Sequence, residues 1–208
     1  MIGPTSVVHG NRLPTMDKLW RILYSPRSVF DELNTNMQIA IPLIAVLGAV
    51  AIAAYIQSNA WSHWPQLITA PLGRLIGLAL IGTGFFIVGK FCKTDHSWTQ
   101  WFGFTAWMHV PLILPIALEA LLNVLDVELP QITVYSFLLR EEAHNIALGI
   151  PWWLWAYVVS IFGLRSWTSK GTGVCIGLAL VPYAVVMLPL LLLFLLINAF
   201  FLGAASQM

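Results

Sequence analysis

Long apolar stretches alternate with short polar ones along most of the chain, with apolar cores at residues 39–56, 71–91, 101–122, 146–167 and 174–202. Each approaches or exceeds the roughly 20 residues that a helix needs to cross about 30 Å of hydrocarbon. The pattern predicts an all-α polytopic membrane bundle of five transmembrane helices over residues 37–203, with an N-terminal amphipathic helix in the tail, residues 1–36. In that tail Met16, Leu19, Trp20 and Leu23 recur at helical spacing, while Asp17, Lys18 and Arg21 take the other face. Ser25 and Pro26 read as the N-cap and first residue of a second short helix, striped by Val29, Phe30 and Leu33. Residues 1–13 are irregular. Neither helix is long enough to span. Both suit the cytoplasmic membrane interface, with the stripe in lipid or against the helix bundle and Trp20 and Phe30 as interfacial residues; an amphipathic helix that binds a partner fits the same pattern.

Composition narrows the class further. Of 208 residues 59% are hydrophobic and 9% charged, with a mean hydropathy of +0.81. A soluble domain carries about 25% charged residues, so this chain cannot dress a water-facing surface of ordinary size. A net charge of +1, without a lysine or arginine run, excludes a nucleic-acid partner. The tail has no cleavable signal pattern, so the first apolar segment is expected to stay as a helix.

Basic residues are distributed by gap. Arg12, Lys18, Arg21 and Arg27 precede the first segment, Lys90 and Lys93 lie between the second and third, and Arg165 and Lys170 between the fourth and fifth. The other gaps and ends hold only Arg74 and Arg140. By the positive-inside bias this places the N-terminus in the cytoplasm and the C-terminus outside, as in a bacterial inner-membrane protein. Cys92 and Cys175 then both face the reducing side, where a disulfide is not expected. With His96 they match no metal-ligand spacing, and neither a metal nor another cofactor is implied.

Several residues are candidates for helix packing or anchoring. Gly73, Gly77 and Gly84 in the second segment, and Gly173 and Gly177 in the fifth, fall at spacings that let helices approach closely. The connection 57–70 lacks lysine and arginine and should be external, with Trp61 and Trp64 at the interface. Pro111 and Pro115 should kink the third helix, and Pro182 and Pro189 the fifth. The connection 123–145 is acidic and external, with an apolar middle too short to cross.

Ionisable residues inside the membrane segments are costly and form the candidate intramembrane polar site: Arg74, His109 and Glu119. Arg74 and Glu119 share an outer depth. An ion pair joining the second and third helices is the simplest account, and a charged pair lining an outer vestibule is the functional alternative. His109 is expected near mid-membrane, either bonded to a carbonyl freed by Pro111 or acting in proton-coupled transport. There is no Ser/His/Asp or Cys/His set, no phosphate-cradling loop and no HExxH, so no catalytic residue is assigned and an enzyme is not expected.

Three stretches resemble the Ypt-interacting-protein (Yip) domain family in its compact prokaryotic form. They are LYSPRSVFDEL at 23–33, FGFTAWMHVPL at 102–112, and WLWAYVVSIFGL at 153–164 with SKG at 169–171. The resemblance implies a five-helix bundle with a cytoplasmic N-terminus and supplies no catalytic residues. Eukaryotic members contact Rab GTPases in vesicle trafficking; the long N-terminal extension they carry is missing here, which argues against a GTPase partner. The function expected is non-enzymatic: organising or scaffolding membrane lipids or protein complexes, with lipids and a membrane-protein partner or a second copy as partners. The alternative is a small transporter, channel or lipid-moving protein built on the proline-broken third and fifth helices.

Overall fold

The computed structural model describes residues 15–57, 64–125 and 146–205. Trp61, the segment 1–13 expected to be irregular and most of the acidic connection lie outside the described residues, as do the side chains of Trp64 and of Asn198. Every regular element among the described residues is helical.

The tail folds as two helices, α1 (Thr15–Tyr24) and α2 (Pro26–Thr35). Pro26 opens α2 because its missing N–H would have no partner there in any case. The charged face of α1 turns inward rather than to water. Glu32 of α2 receives Arg21 Nη2 at 2.7 Å and Lys18 Nζ at 3.4 Å, and Arg21 also donates to Ser28 Oγ at 3.0 Å. Lys18 is thereby only 9% exposed, while Met16, Trp20 and Tyr24 form an outward stripe, Trp20 being 61% exposed. Of the two places open to the α2 stripe, Phe30 takes the one against the bundle and not the one in lipid. It is fully buried, its ring 4.8 Å from that of Phe104, because α2 lies against α7 and turns its stripe into the bundle.

Helix α3 (Ala40–Gln57) is apolar throughout. Helix α4 (Trp64–Phe91) begins before Pro71, so the connection from α3 is shorter than the spacing suggested. A proline inside an apolar helix loses one backbone bond, which neighbouring groups can replace, so Pro71 does not force a start. At the other end Lys93 takes φ 58°, and the Thr94 amide donates to Gly89 O at 3.0 Å. This is a helix stop in which lysine fills the left-handed position that glycine usually takes.

Ser97 and Gln100 form a reciprocal capping box that starts α5 (Trp98–Met108). The helix tightens to a 3-10 turn at Val110–Leu112 and resumes as α6 (Ile113–Val124). Helices α7 (Ile146–Thr168) and α8 (Thr172–Ala205) meet at a bend of 113° across the turn at Ser169, whose φ is 54°. By length and composition Pro65–Phe91 and Trp98–Leu122 can cross a membrane, the bent pair α7–α8 is a third candidate, and Ala40–Ile56 is apolar but shorter.

The core is aromatic. Trp101 lies 4.9 Å from Trp167 and 5.2 Å from Phe104, and Phe85 reaches Phe104 at 5.0 Å. The indole of Trp167 donates to Phe30 O at 3.2 Å, and Ser166 Oγ donates to Asp31 Oδ1 at 2.5 Å, tying α2 to α7. Close approach comes at Gly84, where a Cβ would fall 2.6 Å from Pro182 Cα, and at Gly163, where it would fall 2.5 Å from the Phe104 ring. At Gly73, Gly77, Gly173 and Gly177 a Cβ would meet nothing within 4 Å.

Candidate functional site

His109 ends α5, and its amide turns back to Ala106 O at 3.3 Å. That tightening takes the amide away from Thr105 O, its ordinary α-helical acceptor. The imidazole fills the gap: Nδ1 lies 2.7 Å from Thr105 O. A carbonyl oxygen only accepts, so Nδ1 carries the proton, and in the neutral ring Nε2 is an acceptor. His109 is fully buried, and Nε2 has no hydrogen-bond partner among the described residues.

Trp153 of α7 joins this histidine to Arg74. Its ring stands edge-on to the imidazole at 6.1 Å, and the Arg74 guanidinium lies over it at 5.6 Å. A cation over an indole face is held by the ring quadrupole. Arg74 Nε is buried and has no hydrogen-bond partner among the described residues, and the Tyr183 hydroxyl lies within its electrostatic reach. Glu119 lies half-buried on α6. Helices α4, α5 and α7 thus bring Arg74, His109 and Trp153 to one corner, with Tyr183 of α8 on the Arg74 side. Trp153 and Tyr183 were not legible as members of the site. Trp153 is one of several tryptophans in an apolar run, and spacing does not reveal which of them faces a cation.

A second polar cluster lies in the α4–α5 turn. His96 packs 4.4 Å from Trp167 and 5.8 Å from Trp101. Burial holds its imidazole below the usual range, with Asp95 and a backbone hydrogen bond at Trp167 acting the other way. Cys92 is half-buried, Cys175 is buried, and both are free thiols. Among the described residues no group of three or more His, Cys, Asp or Glu could hold a metal ion.

Compared with known proteins, residues 20–197 match the family profile described as the Yip1 domain, which is most of the chain. No curated protein and no solved structure matches.

Proposed function

The chain belongs to the Yip1 domain family, a family of non-enzymatic membrane trafficking proteins, and from that premise we propose that it organises membrane lipids or protein complexes from within the bilayer. It is an integral membrane protein with apolar helices. The observation that carries the proposal is the N-terminal pair. Glu32 clamps α1 to α2, α2 is bonded to α7, and the stripe of Met16, Trp20 and Tyr24 is left facing outward. A rigidly mounted aromatic stripe beside a membrane bundle suits lipid headgroups or the surface of a membrane partner.

In this reading α3, α4, α5 with α6, α7 and α8 are the five spans of a bacterial inner-membrane protein, with α1 and α2 on the cytoplasmic face. Helix α8, with 34 residues, is about 51 Å long and must tilt or project beyond the hydrocarbon. Purified protein reconstituted alone in liposomes should carry no specific solute or ion flux. In mild detergent it should retain a defined set of lipids or membrane proteins, and the W20A/Y24A double variant should lose them. Specific flux by the reconstituted protein would sink this reading. It would support instead a small transporter, for which the break at Val110–Leu112 beside His109 is the favourable observation.

A further inference from the structure

The two atoms in the Trp153 corner that have no partner among the described residues are of opposite kind. Arg74 Nε–H is a donor on a cation, and His109 Nε2 in the neutral ring is an acceptor, its tautomer set by the bond from Nδ1 to Thr105 O. Buried polar atoms without partners are rare, and two beside one indole ring call for an explanation. A single ligand meets both if it offers a negatively charged oxygen and, a few bonds away, a hydroxyl. The phosphate would accept from Arg74, and the hydroxyl would donate to His109.

Access to the corner is lateral. Trp153 is 44% exposed, and its neighbour Leu154 is 60% exposed on the same helix. In a membrane protein that surface meets lipid rather than water. Trp153 is partly exposed and its ring touches the buried imidazole, so a rotation of that side chain would admit the hydroxyl.

We infer that Arg74, Trp153 and His109 form a headgroup site for an anionic phospholipid that carries a free hydroxyl, the chemistry of phosphatidylglycerol. The inference depends on membrane residence and not on the organising role proposed above.

The test uses full-length protein in mild detergent and native mass spectrometry, titrating three lipids with matched acyl chains. Phosphatidylglycerol supplies anion and hydroxyl, phosphatidylmethanol the anion alone, and phosphatidylcholine a zwitterion. Wild-type protein should retain phosphatidylglycerol over phosphatidylcholine by roughly tenfold or more, the size expected for one charge-assisted hydrogen bond. Phosphatidylmethanol should fall between them. Arg74→Leu should bring phosphatidylmethanol to the level of phosphatidylcholine and leave phosphatidylglycerol only the margin that its hydroxyl supplies. His109→Phe should erase the advantage of phosphatidylglycerol over phosphatidylmethanol and keep that over phosphatidylcholine. Inorganic phosphate should not displace the bound lipid; displacement would show a free-anion site and overturn the proposal. Equal retention of the three lipids by wild-type protein would also overturn it, and that reading needs no variant to fold. If the lipid preference fails while W20A/Y24A still loses partners, the organising role survives and the headgroup site does not.

Discussion

His96 occupies the turn between α4 and α5 with its ring against Trp167 and Trp101. Because burial lowers its pKa from 6.5, the unfolded chain binds the proton more readily than the folded one. Its contribution to stability is therefore present above pH 6.5 and is lost as pH falls through the lower folded value. The melting temperature in detergent should drop between about pH 7 and about pH 5, and His96→Phe should flatten that drop; an unchanged profile in the variant would assign the titration to another group. Glu32 carries a second prediction. It receives both Lys18 and Arg21 across the α1–α2 junction and is 38% exposed, so Glu32→Ala should cost about 1 kcal/mol. Trypsin should then cut after Lys18 and Arg21 roughly fivefold faster. Local spacing marked Ser25 and Pro26 as a helix boundary, and the structure places it there. It did not show that Lys18 and Arg21 turn inward, because their partner is on another helix.

At the scale of the helices, close contact is decided by pairs. Gly84 and Pro182 lie where α4 crosses α8, and a side chain at position 84 would strike backbone that has nowhere to go. Gly84→Ala should cost about 1 to 3 kcal/mol, read as lower thermal stability in detergent. Gly77→Ala, two turns earlier on the same helix, opens onto free space and should be neutral or slightly stabilising. Gly73, Gly77 and Gly84 look alike in sequence; only the neighbouring helix distinguishes them. The break in the third apolar segment shows the same division. Pro111 announces an interruption from sequence alone, since it cannot donate to the carbonyl four residues back. That the break is a 3-10 turn, with the His109 ring bonded to Thr105 O, depends on how α5 sits in the bundle.

For the whole molecule, the distribution of lysine and arginine makes a claim that helix geometry does not replace. Reporter fusions at Asp95 and Lys170 should read as cytoplasmic, and fusions at His63 and Ser136 as external; the reverse pattern would invert the orientation. Composition and hydrophobic run length by themselves determined that this is an all-helical membrane protein, because 9% charged residues cannot solvate a surface and long apolar runs have no other stable home. The order of motifs marked its likeness to the Yip family, and the match over residues 20–197 bears that out. Tertiary structure decided what faces what: that Phe30 is core rather than interfacial, that α7 and α8 meet at 113°, and that Arg74 and His109 share Trp153. The physical reason is that lipid exposure and helix contact both favour apolar residues. A hydrophobic segment therefore reveals its environment in its composition and its partner only in the fold.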